Sequence, residues 1–175
     1  MRYIALLRGI NVGGKNKVVM KDLTVLFESL DCFNVSTYIN SGNVIFESKD
    51  GQDTIIKKVK AGFKQEYDFE IPFLVKTENE MKKIAGAIPK EWQNDSTHKT
   101  DVAYLFPEID SKEILDELPV KKEFIDVRYV PGALFWNIDR NNYNKSNLNK
   151  IISHRVYQFM TVRNVNTARY LAEHK

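Results

Sequence analysis

Apolar residues fall along the chain in short runs that predict strands and amphipathic helices in alternation. Residues 2–7, RYIALL, show no alternation of polar and apolar positions, which is typical of a strand covered on both faces. Apolar residues within 20–30 then recur at helical spacing, and Asp31 with Cys32 ends that helix. We therefore expect a central strand that reaches a helix through an intervening loop.

The rest of the first half completes a familiar order of elements. In chain order, the predicted elements are strands over 33–40 and 43–48, a helix from about residue 53 and a strand over 72–76. Ser41 and Gly42 between the first two of these strands are a two-residue hairpin signal. The resulting order, β-α-β-β-α-β, is the ferredoxin-like motif, and the right-handed crossover rule leaves few competing topologies.

The second half repeats this order. A helix over 78–87 is followed by a polar stretch over 89–100, which we interpret as a linker. Beyond it the pattern predicts a strand over 101–106, a short helix from Ser111 and strands over 123–130 and 133–139. A helix from about Ser146, a strand over 159–162 and a last helix capped by Asn166 or Thr167 complete the chain. We predict an α+β fold of two tandem ferredoxin-like βαββαβ modules (α-β plaits) with antiparallel sheets, each followed by an extra helix. The predicted modules are 1–92 and 93–175, and a single mixed sheet of eight strands is the alternative.

A glycine-rich and lysine-rich loop, RGINVGGKNK over residues 8–17, follows the first strand. Glycines let the backbone adopt positive φ and approach a ligand, so we expect Gly13 or Gly14 at positive φ. Successive backbone N–H groups in such a loop can hold an anion. The pattern lacks the Ser or Thr that follows Gly-Lys in phosphate loops, because Asn16 stands there. A nucleoside triphosphatase, a general anion-binding loop and a structural glycine turn are the three alternatives.

The ferredoxin-like order places this loop beside the predicted turn at residues 40–43. In that topology the end of the first strand and the turn between the second and third strands lie at one edge of the sheet. Both segments are rich in glycine and asparagine, which suits polar recognition, although turns also favour these residues for local reasons. We expect the two segments to be neighbours.

Composition excludes several classes of protein. The formal net charge is +3, so basic surface must come from local clusters. Such a cluster follows Asp139 and contains Arg140, Lys145, Lys150, Arg155, Arg163, Arg169 and Lys175. It predicts either a solvated helix face or an anion or nucleic-acid surface. A lone cysteine, Cys32, excludes an intrachain disulfide, and without a signal pattern or an apolar membrane-spanning segment we expect a cytoplasmic protein with no membrane partner.

Other candidate residues favour structure over chemistry. His98, His154 and His174 show no paired spacing, so no metal site is predicted. Cys32 reads as a small core residue rather than a nucleophile. The neighbouring aromatics Phe135 and Trp136 are compatible with base stacking, as in RNA-recognition sheets, but we favour buried packing because the RNA-binding sequence pattern is absent.

Three motifs carry a family resemblance: ALLRGINVGGKNKVVM, TYINSGNVIF and TVRNVNTARYL. They resemble the uncharacterised bacterial family known as domain of unknown function 1697, over nearly the whole chain. The resemblance implies a small bacterial cytoplasmic protein of two ferredoxin-like modules, with no established reaction. Its hallmark positions are Arg8, Gly9, Asn11, Gly13, Gly14, Lys15, Tyr38, Asn40, Ser41, Gly42, Asn43, Thr161, Arg163, Asn164, Asn166 and Thr167. The third motif usually has tryptophan where this chain has Val165, which weakens the idea of a stacking ring there.

These positions, Tyr38 apart, are our candidate ligand-binding residues, and we expect a phosphate-bearing small molecule, a nucleic acid or another anion as ligand. Lys15 and Arg163 are expected to act on one anion from the two halves of the chain. An enzyme is an alternative, with Arg8, Lys15 and Arg163 as electrostatic clamps and Ser41 or Thr161 as the reacting hydroxyl. A further alternative is an interaction protein that self-associates through sheet edges. The residues identify no cofactor and no catalytic group.

Overall fold

The computed structural model of the protein describes residues 1–173. The chain divides into two compact units, Met1–Asn79 and Glu80–Lys175. The sequence predicts a module border after residue 92, which lies further along the chain than the division after Asn79. That the two modules fold independently up to residue 92 stays a prediction.

The first unit contains one four-stranded antiparallel sheet and two helices. Its elements are β1 (Arg2–Leu7), α1 (Met20–Ser29), β2 (Phe33–Tyr38), β3 (Asn43–Glu47), α2 (Gln52–Glu66) and β4 (Phe73–Thr77). The strands lie in the order β2-β3-β1-β4, and every neighbouring pair is antiparallel. This is the ferredoxin-like arrangement that the sequence predicts.

The apolar stripes of α1 and α2 form the core on one face of this sheet. Leu23 and Phe27 of α1 and Val59 and Phe63 of α2 are buried, as their helical spacing requires. Phe27 meets Phe46 of β3 edge to face, with ring centroids 5.1 Å apart. Aromatic pairs of this geometry contribute beyond the area that they bury.

The second unit repeats the sheet. Its elements are α3 (Glu78–Ala87), whose first two residues belong to the first unit, β5 (His98–Leu105), α4 (Ile114–Glu117), β6 (Asp126–Val130), β7 (Ala133–Asp139), β8 (Met160–Asn164) and α5 (Val165–Glu173). The strands lie in the order β6-β7-β5-β8, again antiparallel throughout. Residues 1–173 therefore form two separate four-stranded sheets, and the alternative of one mixed sheet is wrong.

The helix predicted from Ser146 is also wrong. The chain forms two short 3₁₀ segments there, Leu148–Ser153 and Arg155–Phe159. Asn147 takes the left-handed conformation, with φ of 61°, and the Ser146 hydroxyl accepts a hydrogen bond from the Leu148 N–H at 3.1 Å. Short polar side chains bond to nearby backbone in this way and so compete with a continuous α-helix.

The polar stretch over residues 89–100 is packed and hydrogen-bonded rather than a linker. Trp92 is buried, with its ring centroid 5.9 Å from that of Phe135, and the Arg128 guanidinium lies 4.6 Å from the Trp92 ring centroid. Arg140 and Arg169 donate hydrogen bonds to the same stretch. Trp92 covers the face of the sheet to which Phe135 belongs. Phe135 is therefore buried in the core and is not a stacking platform, in agreement with the absence of the RNA-binding sequence pattern.

Candidate functional site

The glycine-rich loop folds into a small hairpin of its own. Val12 and Lys15 form a bridge, and the Lys15 N–H donates to the Val12 carbonyl at 3.1 Å. The two residues between them, Gly13 and Gly14, have φ of 58° and 74°, which confirms the expected positive φ. Positive φ at both central residues is the mark of a type I′ turn, for which Gly-Gly is well suited.

The turn between β2 and β3 is longer than predicted. Tyr38 and Asn43 form its closing pair, so the loop has four residues, 39–42, and the two-residue hairpin predicted at Ser41 and Gly42 is wrong. Ile39 and Gly42 both have positive φ, and the Asn43 Nδ2 donates to the Tyr38 carbonyl at 2.9 Å and to the Ser41 Oγ at 3.1 Å. These side-chain bonds stabilise the wider loop, which no dipeptide signal reveals.

The loop and the turn are neighbours, as the topology predicts. The Asn11 side chain joins them, because its Nδ2 donates to the carbonyls of Asn40 and Val18, each at 3.0 Å. Its Oδ1 accepts from the Val18 N–H at 2.8 Å. Gly42 fits closely into this corner, since a Cβ there would lie 2.7 Å from atoms of Leu7. We call this corner, residues 8–19 with residues 39–43, the paired-loop edge.

The paired-loop edge presents cations and no acids. Lys15 and Lys17 are exposed and form no ion pair within the part of the chain that the structure describes. Gly13 and Gly14 beside them are exposed, and the Asn16 Nδ2 donates to the Gly9 carbonyl at 3.1 Å. Charge and exposed backbone therefore coincide at the tip of the hairpin.

The geometry of the loop excludes the phosphate loop of nucleotide hydrolases. That loop needs a helix N-terminus directly after its Gly-Lys pair, so that helix N–H groups face the phosphates. Here Gly14 and Lys15 belong to a hairpin, and α1 begins only at Met20.

The third motif lies in the second unit and is mostly buried. Arg163 is only 7% exposed, and its Nη1 donates to the Thr161 Oγ1 and to the Val162 carbonyl, both at 2.9 Å. Burial lowers the pKa of the Arg163 guanidinium to about 10, although the neighbouring Tyr104 partly offsets this effect. Lys15 and Arg163 belong to different units, and their action on one anion stays a prediction.

The start of α5 corrects the predicted cap. The Asn164 Oδ1 accepts from the Thr167 N–H at 2.9 Å, which makes Asn164 the N-cap in place of Asn166 or Thr167. Asn166 is exposed, whereas Thr167 and Val165 are buried. Asn164 therefore has a structural role as the cap of α5.

Metal and thiol chemistry find no support in the described residues. Residues 1–173 contain no group of three or more His, Cys, Asp or Glu side chains that could hold a metal ion, and His174 lies outside them. Cys32 is buried, and burial raises the pKa of its thiol to about 11, although the nearby Lys58 partly opposes this. A thiol in that state is a poor nucleophile.

The basic cluster of the C-terminal segment is divided among several internal partners. Arg155 pairs with Glu117, Arg169 donates to the Gln93 Oε1 and the Pro89 carbonyl, and Arg163 is buried. Arg140 lines a cleft with Lys99, Tyr143 and Asn144. Sequence reasoning missed this cleft, since its residues come from two distant segments of the chain.

Two antiparallel sheets of the same strand order define the class of protein: tandem ferredoxin-like modules. The chain belongs to the protein family of unknown function DUF1697, whose family model matches residues 1–136. It is similar to the structure of the conserved bacterial protein SP0830 from Streptococcus pneumoniae, with a TM-score of 0.87 and 27% sequence identity over 98% of this chain and 97% of that chain. No curated protein matches the chain.

The helices of the described residues are too short or too polar to span a bilayer.

Proposed function

We propose that the protein binds a phosphate-bearing or otherwise anionic ligand at the paired-loop edge. Lys15 and Lys17 supply the charge, and the exposed backbone of Gly13 and Gly14 supplies close approach. The observation that carries the proposal is the Asn11 side chain, which joins the loop to the neighbouring turn through one hydrogen bond, to Asn40, and closes the loop itself through two more, with Val18. A site held in this way loses less conformational entropy when a ligand binds.

Further candidate positions belong to the same loop and turn. Arg8 and Gly9 begin the loop, and Asn40, Ser41, Gly42 and Asn43 form the facing turn. Gly42 and Asn43 are buried, and the Asn43 Nδ2 already donates to Tyr38 and Ser41, so the exposed Asn40 carboxamide is the group of this turn that adds neutral donors to the proposed site. Thr161, Arg163 and the neighbouring asparagines remain a prediction for the second unit.

The proposal is one of binding, and the Ser41 and Thr161 hydroxyls enter it as polar groups of the two motifs. Both accept hydrogen bonds from their own unit, from Asn43 and Arg163 respectively. Cytoplasmic residence is proposed with this function, in keeping with the reduced, buried Cys32.

Pyrophosphate is a suitable probe, because it offers dense negative charge without a base or a sugar. We expect Lys15→Ala and Lys17→Ala each to weaken pyrophosphate binding about threefold, and the double variant about tenfold, in isothermal titration calorimetry at low salt. The losses should shrink at high salt because screening weakens exposed charges. Lys60→Ala, an exposed lysine of α2, is the matched control. Equal losses in the control and the loop variants, or no binding by the wild type, would refute the proposal.

A further inference from the structure

A second cationic depression lies in the second unit, where β5 begins and β7 ends. Lys99, Arg140, Tyr143 and Asn144 line a surface cleft of about 380 Å³. The depression is shallow and open to solvent, so it suits a single small group of a ligand. A wider depression, of about 490 Å³ along residues 122–127, mixes acids with a lysine and so selects no charge.

Arg140 is held in place by neutral oxygens. Its Nε donates to the Asp95 carbonyl at 2.8 Å, and its Nη2 donates to the Asn94 Oδ1 at 3.2 Å. Its backbone N–H also donates to the Thr97 carbonyl at 2.9 Å. The guanidinium is therefore fixed at its base, although it makes no ion pair with a carboxylate among residues 1–173.

No carboxylate among residues 1–173 forms an ion pair with Arg140, although Asp139 precedes it in the chain and Asp95 belongs to the stretch that holds it. Lys99, the other cation of the cleft, pairs with the buried carboxylate of Asp101 at 2.8 Å. A guanidinium has five N–H donors, and Arg140 uses two of them on Asp95 and Asn94. Three donors and one positive charge remain for a ligand.

We propose that this cleft binds one oxyanion group, a carboxylate or a phosphate, of a small molecule. The planar fork of Arg140 matches the paired oxygens of such a group. The Asn144 carboxamide and the Tyr143 hydroxyl supply further donors. The Lys99 ammonium adds electrostatic attraction for the anion, which is reduced because Lys99 already pairs with Asp101. The site uses other residues, in the other unit, and it does not depend on the function proposed for the paired-loop edge.

The test is an NMR titration of the full chain with inorganic phosphate and, separately, with acetate. We expect saturable shifts of the Arg140 Nε–H and the Asn144 side-chain NH₂ signals with at least one probe, and the stronger probe identifies the preferred oxyanion. Arg140→Gln should weaken that binding about tenfold or more, and Asn144→Ala about threefold, because hydrogen bonds to charged groups are strong. Lys15→Ala should leave these signals unchanged, which separates this site from the paired-loop edge.

Arg169→Gln is the matched control. Arg169 also donates only to neutral oxygens of the same stretch, those of Gln93 and Pro89, but it does not line the cleft. Should Arg140→Gln perturb the fold, Asn144→Ala and Tyr143→Phe carry the test, because neither residue anchors the 89–97 stretch. The proposal is wrong if neither probe shifts the cleft signals, or if Arg169→Gln weakens binding as much as the cleft variants do.

Discussion

The two units attach their first strand to the neighbouring hairpin in the same way. In the first unit the Leu7 N–H donates to the Gly42 carbonyl at 2.8 Å, and in the second the Leu105 N–H donates to the Gly132 carbonyl at 2.9 Å. The next N–H groups correspond as well, because those of Arg8 and Phe106 donate to the residues that precede β4 and β8. The backbone frame of the two edges is therefore shared.

The side chains that complete these edges differ in charge. In the first unit the Asn11 side chain donates to Asn40 of the turn, and it both donates to and accepts from Val18 of its own loop. In the second unit the Asp110 Oδ1 only accepts, from the Tyr129 hydroxyl at 3.0 Å and the Gly132 N–H at 2.8 Å. The first loop carries lysines and no acid, while the second, residues 106–113, carries Glu108, Asp110 and Glu113 with one lysine. One fold thus presents a cationic edge and an acidic edge, and the loop sequence decides which charge of ligand each can attract.

The largest expected effect concerns the close fit of Gly42. Its φ is +80°, and a Cβ would lie 2.7 Å from Leu7 Cβ and from Ile10 Cδ1. Gly42→Ala should therefore lower the free energy of unfolding by about 3 kcal/mol, the sum of left-handed strain and overpacking. Urea denaturation followed by circular dichroism measures this. A loss below about 1 kcal/mol would show that the corner between loop and turn is not tightly packed.

Exchanging asparagine and aspartate at positions 11 and 110 tests the difference between their hydrogen bonds directly. Asn11→Asp removes the two donated hydrogen bonds to Val18 and Asn40, so we expect a loss of about 2 kcal/mol at neutral pH. Asp110→Asn keeps an acceptor oxygen for Tyr129 and Gly132 and should cost under about 1 kcal/mol. Both are measured by urea denaturation. Equal losses would mean that the two ties do not differ as the hydrogen bonds indicate.

A smaller loss is expected at the tip of the first loop. Gly14 has φ of +74° but open space around it, so Gly14→Ala should cost only about 1 kcal/mol from backbone strain. The same denaturation assay compares it with Gly42→Ala. If Gly14→Ala cost as much as Gly42→Ala, packing would not be the source of the difference between tip and corner.

The smallest effect is a titration in the second unit. The Asp95 carboxylate accepts from the His98 N–H and from the Thr97 N–H and hydroxyl, and these bonds lower its pKa from 3.8 to about 2. Because the folded pKa is depressed, the stability from these bonds is present above pH 3.8 and is lost as the pH falls through about 2. The backbone N–H signals of Thr97 and His98 should follow this titration in NMR spectra, and Asp95→Asn should abolish it. A midpoint near 3.8 would contradict the hydrogen-bonded turn.

The strands and most helices could be predicted because short-range patterns are enough to specify them. The predicted bounds of β7, Ala133–Asp139, and of α3, Glu78–Ala87, are those observed, since each is a clear run with turn residues or a boundary at its ends. The repeat of element order was sufficient to predict two ferredoxin-like modules, because few topologies satisfy that order.

The parts that could not be predicted depend on contacts between distant residues. Trp92 lies in a polar stretch, and only its packing on Phe135 of β7 explains its burial. After Ser146 the chain forms 3₁₀ segments in place of the predicted helix, because the Ser146 hydroxyl bonds to nearby backbone and Asn147 is left-handed. The spacing of apolar residues carries no information about either feature. For the site, the topology predicted that loop and turn meet, but not that Asn11 makes the connection.

The contrast between the two edges is tested most directly by titrating the full chain with pyrophosphate while recording backbone amide signals of both loops. We expect saturable shifts at Gly13, Gly14 and Lys15, and none of comparable size in residues 106–113. Lys15→Ala should weaken the shifts at the first loop. Shifts of similar size at both edges, or none at the first, would contradict an anion site that belongs to the cationic edge alone.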